Sequence, residues 1–247
     1  MGHYGRECST ESFRHGVGRV LVKNGNDMGL LKQFLVMVLL CDSPAQTQTP
    51  ERKVEGNVIT SEHDPKVRIE LPKSVRYVGA DRWVLYDIAD CELHAFVEAD
   101  AQKNVQRLYW VQFEGYVPTR PELHHTYDSP RHVNIGGMDF YVDTWARPKD
   151  AKAEPGSDVE HIRALIRAKG YAMPAGMISV RLVHLLDEQK RKELMIIYSE
   201  DVKPTGFTAA DLGEQSKAYD RWPAIQDALV ERATKKIVIQ ESVAGSQ

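Results

Sequence analysis

The segment 124–132 gathers the densest set of groups able to do chemistry in this chain: His124, His125, Asp128 and His132, with Tyr127 and Arg131 among them. Neutral imidazoles and a carboxylate are ligands for zinc or a similar divalent ion. An ion held there would lower the pKa of a bound water and polarise a carbonyl, the chemistry that hydrolyses a small ester, lactone or amide. The spacing matches no metal signature. Pro121 and Pro130 fit equally well a polar connecting loop whose histidines face solvent. A second cation set is all oxygen: Glu92, Glu98, Glu114 and Asp143 are the ligand type that calcium takes. Nucleophilic catalysis finds little support, because the chain has no G-x-S-x-G elbow, no P-loop and no H-E-x-x-H. Gly16-Val-Gly18 lacks the third glycine of a dinucleotide fingerprint.

These side chains need a scaffold, and the pattern supplies one made mostly of strands. Val67 to Leu71 alternates; Trp83 to Ala89, Glu92 to Ala99 and Arg107 to Val117 are rich in strand formers; Met138 to Ala146 follows a glycine turn. Ile178 to Leu186 and Glu193 to Ser199 flank a polar turn and predict a hairpin. One helix is predicted from Ser157, where Ser157 and Glu160 have the spacing of a capping box, to Gly170, with Ile162, Leu165 and Ile166 as its apolar stripe. A second starts near Asp220 with Pro223 in its first turn. This order predicts an α+β fold: a mostly antiparallel sheet of about six to seven strands with two helices packed on one face.

Side chains alternate along a strand, so parity sorts residues between faces. Leu93, Ala95, Val97, Tyr109, Val111, Phe113, Phe140, Val142, Val180 and Leu182 form an apolar set expected beneath the helices, and His184 joins it. The opposite set mixes carboxylates with large aromatic rings: Glu92, His94, Phe96 and Glu98, then Trp110, Gln112, Glu114 and Tyr116, then Tyr141, Asp143, Trp145 and Arg181. A solvated face stabilised by cross-strand aromatic pairs explains that set. A binding surface for a small molecule or a partner, built on Trp110, Tyr116, Tyr141, Trp145, His94 and Arg181, explains it too, since Trp and Tyr combine apolar area with a polar handle.

The remaining features bound the function class. Hydrophobic residues make up 42% and charged residues 27%, with a net charge of −3 and no long run of one sign. That composition suits a globular domain and offers no basic footprint for nucleic acid. Met28 opens a short region with one lysine, Phe34 to Cys41 is apolar, and Ser43 and Ala45 have the small-x-small spacing of a cleavage site. Residues 28–45 are therefore expected to be a signal peptide, residues 1–27 an upstream or non-native extension, 46–65 a flexible segment, and 66–240 one α+β domain. The expected location is periplasmic or secreted, with no membrane span in the mature chain. Cys91, the one cysteine left after cleavage, is expected to be buried and inert. The leading expectation is an exported binding domain using the aromatic sheet face. A metal-assisted hydrolase and a structural envelope protein are the alternatives.

Overall fold

The computed structural model describes residues 48–241, all within the second of two compact units, residues 45–247. The expected extension and signal peptide lie outside the described residues. Four strands form a small sheet in the order β1 (Lys53–Glu55), β2 (Val58–Glu62), β3 (Lys66–Glu70), β11 (Val238–Glu241). Seven form the main sheet: β4 (Arg76–Leu85), β5 (Ala89–Ala99), β6 (Val105–Tyr116), β7 (His132–Ile135), β8 (Met138–Pro148), β9 (Gly176–Leu185) and β10 (Lys192–Asp201). Their spatial order is β4-β5-β6-β10-β9-β8-β7, and every neighbouring pair is antiparallel. Two helices complete the fold, α1 (Asp158–Ala168) and α2 (Trp222–Lys236). The α+β class, the antiparallel sheet and the two helices are those that the residue pattern predicts. Among the described residues no helix is long and apolar enough to cross a membrane.

The helices do not share one face. Ile162 and Ile166 of α1 pack with Leu93, Ala95, Trp110 and Ile197. Leu229, Val230 and Ala233 of α2 pack with Val180, Leu182, Ile196 and Tyr198, and Ile59, Val67, Ile69 and Ile239 of the small sheet join them. The main sheet is thus a middle layer. Its central strands β6 and β10 carry buried apolar residues on both sides, Val111 and Ile196 on one and Trp110 and Ile197 on the other, so covering one face alone would leave the other in water, at about 25 cal/mol for each Å² of apolar surface.

The same fact corrects the expected flexible segment. Residues 46–65 contain β1 and β2, anchored by the fully buried Ile59 and by antiparallel pairing of β2 with β3. Their polar composition conceals the short strands.

The parity assignment is right for β6, β8 and β9 but inverted for β5. Ala95 lies opposite Trp110 and Leu93 opposite Gln112, whereas His94 lies opposite Val111. The phase between β5 and β6 is set at the connecting turn. There the Asp100 carboxylate accepts hydrogen bonds from the backbone of Gln102 and Asn104, and the register shifts between Glu98 and Ala99. No alternation within either strand reveals that shift.

Trp110, expected on an open face, is 6% exposed beneath α1. Trp110→Ala is expected to cost about 3–5 kcal/mol in urea denaturation, the magnitude of an emptied core position. A change below about 1 kcal/mol would show that the ring is not core.

Candidate metal centre

Because β10 lies beside β6, Glu114 on β6 and Glu193 on β10 face each other directly at the centre of the main sheet. One row of side chains runs across five strands on this face: Trp83, Cys91, Glu114, Glu193 and Leu185. Two elements cover the row. The start of α1 brings Asp158 close enough to raise the pKa of both glutamates. The loop from β6 to β7, residues 117–131, has to travel from the middle of the sheet to its far edge, and it crosses this face on the way.

That loop is long but fixed. The Arg191 guanidinium donates to the backbone carbonyls of Tyr116, Val117, Arg120, Pro121 and Leu123, at 2.8–3.3 Å. The His125 N–H donates to the Lys190 carbonyl at 2.7 Å. These bonds lay the His125 ring against Tyr116, with centroids 4.5 Å apart, and bring Tyr127 over the sheet.

Glu114, His125 and Glu193 each offer one ligand atom, all within 4.8 Å of one another. His125 Nδ1 is 3.1 Å from Glu193 Oε2. Two ligands on one tetrahedral zinc ion, bound at about 2.0 Å, stand about 3.3 Å apart. Both carboxylates are held by hydrogen bonds. Tyr127 O–H donates to Glu193 Oε2 at 2.6 Å, and Trp110 Nε1 donates to Gln112 Oε1 at 2.9 Å, whose Nε2 donates to Glu114 Oε2 at 3.0 Å. Outer contacts of this kind fix the direction in which a ligand points.

The electrostatics are those of a site short of positive charge. Burial pushes Glu114 well above the usual carboxylate range, and the charges of Glu193 and Asp158 push it further. Burial also raises Glu193, against the opposing pull of the Tyr127 hydrogen bond and of Arg181. Burial holds the His125 imidazole neutral by lowering its pKa to about 4. Buried side-chain polar atoms in a folded protein ordinarily have partners. Here His125 Nε2, Trp83 Nε1, Ser157 Oγ and Asp158 Oδ1 are buried without a hydrogen-bond partner among the described residues. Ser157 precedes α1 as expected, yet its hydroxyl makes no cap, and Glu160 instead accepts from the Gly156 N–H.

Of the residues expected to hold a metal, His125 from the loop set and Glu114 from the oxygen set come together in this cluster. His124 and Asp128 are exposed, and His132 is exposed and paired with Asp139 at 2.8 Å. None of the three joins a cluster of metal-ligating atoms among the described residues. The proposed calcium set is not assembled either. Glu92 and Glu98 lie on the α2 side of the sheet, while Asp143 is bound to Arg181 at 2.6 Å.

The expected aromatic binding face is divided. Tyr116, Tyr141 and Trp145 are half-buried around the loop and the sheet, Arg181 stacks over Tyr127 at 5.3 Å, and His94 is on the opposite face. Cys91 is buried, and its thiol pKa is raised well above its usual value, chiefly by that burial.

Glu193 is the site residue that the sequence pattern misses. Its one signal is a carboxylate at an inward position of an otherwise apolar strand. No family model matches the chain, and neither a curated protein nor a solved structure does.

Proposed function

We propose that this protein binds one divalent transition-metal ion, of the zinc class, through Glu114, His125 and Glu193, and uses it in hydrolysis. The observation that carries the reading is the meeting of one imidazole and two carboxylates within 4.8 Å on a covered sheet face. Mixed nitrogen and oxygen ligands favour a borderline ion such as zinc over calcium. Three protein ligands with a position left for water is the pattern of catalytic rather than purely structural zinc sites. The metal would supply an ionised water near neutral pH and polarise a carbonyl.

The chain's own residues supply the rest. Tyr127 and Gln112 hold the carboxylates in place, and α1 and loop 117–131 keep bulk water from the row. The substrate class proposed is a small ester, lactone or amide. Export by the Met28 signal belongs to the same proposal and rests on the residue pattern at 28–45.

The test is turnover of a panel of small lactones and esters by protein loaded with one equivalent of zinc. Activity is expected to vanish in excess chelator, to return on adding zinc, and to be absent in His125→Ala. Undiminished turnover in chelator would place the chemistry elsewhere.

A further inference from the structure

A second group of buried polar side chains lies on the other face of the main sheet, independent of the metal centre. Glu92 is 1% exposed and His94 is fully buried. Glu92 accepts hydrogen bonds from the backbone N–H groups of Glu51 and Arg52, each at 2.8 Å, and from the Arg52 guanidinium at 3.1 Å. The hydrogen bond with His94 and these donors hold its carboxyl at about 2, against the opposing effect of burial. It is therefore an anion at neutral pH. His94 Nε2 lies 2.9 Å from this anion and must carry the proton that bonds to it. In the neutral imidazole Nδ1 is then the acceptor, and the Tyr77 hydroxyl lies 3.2 Å from it.

Of these three side chains, Tyr77 is the one that reaches the surface. It is 39% exposed on β4, an edge strand. The pairing of β4 with β5 shifts register between Tyr77 and Gly79, and bulges of this kind re-aim side chains. Phe96, at 4.9 Å, fixes the ring from the side.

We infer that Tyr77, His94 and Glu92 form a nucleophile, base and orienting acid, and that Tyr77 accepts an acyl group from a small activated ester. The order is that of covalent catalysis by a hydroxyl: a tyrosine on an edge strand, an imidazole within reach of its O–H, and a buried carboxylate that fixes the tautomer. In the step, the Tyr77 oxygen bonds to the ester carbonyl carbon while its proton passes to His94 Nδ1. The bond from that carbon to the leaving oxygen then breaks, and the leaving group takes the proton from the imidazolium. The products are an acylated Tyr77 and a free alcohol. Burial and the Glu92 charge raise the phenol to about 12. Unassisted attack by Tyr77 would therefore be slower than by an ordinary exposed tyrosine, so fast acylation would report the base.

The internal control is Tyr219, 43% exposed and outside the group. The full chain is treated with p-nitrophenyl acetate in excess chelator, and acetylation of each tyrosine is followed by mass spectrometry. Tyr77 is expected to acetylate at least about a hundredfold faster than Tyr219, the lower range of general-base assistance. In urea the two rates should converge. Tyr77→Phe should abolish the rapid phase and leave Tyr219 unchanged, and Glu92→Gln should slow Tyr77 alone. Acetylation of Tyr77 no faster than of Tyr219 in the folded protein would overturn the inference, and that comparison needs no variant to fold.

Discussion

Zinc added to the metal-free protein is expected to raise its melting temperature by roughly 5–10 °C when free zinc is about a hundred times Kd. Saturation of that degree stabilises the folded state by about 2.7 kcal/mol, and a domain of this size gains roughly 2–4 °C per kcal/mol. His125→Ala and Glu193→Gln should each lower zinc affinity by about a hundredfold or more and remove the shift. His124→Ala and His132→Ala should leave it intact, because those side chains face away from the site. Scanning calorimetry on the five proteins, each against its own metal-free baseline, decides the matter. Loss of the shift in the His124 or His132 variants would return the ion to the loop surface.

Without metal, the protein is expected to become less stable as pH rises from about 6.5 to 8. A carboxyl whose folded pKa lies above its unfolded value holds its proton more tightly when folded. Its contribution is complete below the ordinary carboxylate range and is lost as pH climbs through the folded value. Glu114 and Glu193 are both of this kind. His125 acts in the opposite sense, since its pKa is lowered to about 4 and its contribution is lost as pH falls below the ordinary histidine range. Between about 4.5 and 6.5 the two effects oppose each other, and above that window the carboxylates act alone. Each pKa unit of carboxylate shift carried to pH 8 corresponds to roughly 3–5 °C of melting temperature. Glu114→Gln should flatten the decline, and zinc should abolish it by replacing the proton. A metal-free wild type with stability unchanged from pH 6.5 to 8 would show that the pair is not proton-holding.

The class of fold is legible in the residues because alternation, turn residues and helix stripes are local properties. What escapes is everything set by long-range pairing. The phase of β5 against β6 depends on a register shift at one turn, so His94 and Glu92 exchange faces relative to the sequence reading. The placement of β10 beside β6 is not written in either strand, and it alone brings Glu193 opposite Glu114. The small sheet escapes because β1, β2 and β11 are short, and β11 is distant in sequence from its partner β3. The site itself is half legible. A histidine-rich loop draws the eye to His125 and the oxygen-ligand set to Glu114, yet Glu193 lies on a strand whose apolar neighbours make a single glutamate easy to pass over. His124, Asp128 and His132 share the composition of a ligand set without its geometry, because spacing in a loop does not fix direction.

The most direct test of the metal centre is zinc X-ray absorption on the full chain loaded with one equivalent. Glu114, His125 and Glu193 predict a first shell of nitrogen and oxygen alone at about 2.0–2.2 Å, with the outer-shell signal of a single imidazole, lost in His125→Ala. A sulfur neighbour at about 2.3 Å, several imidazoles, or no zinc retained at all would contradict it.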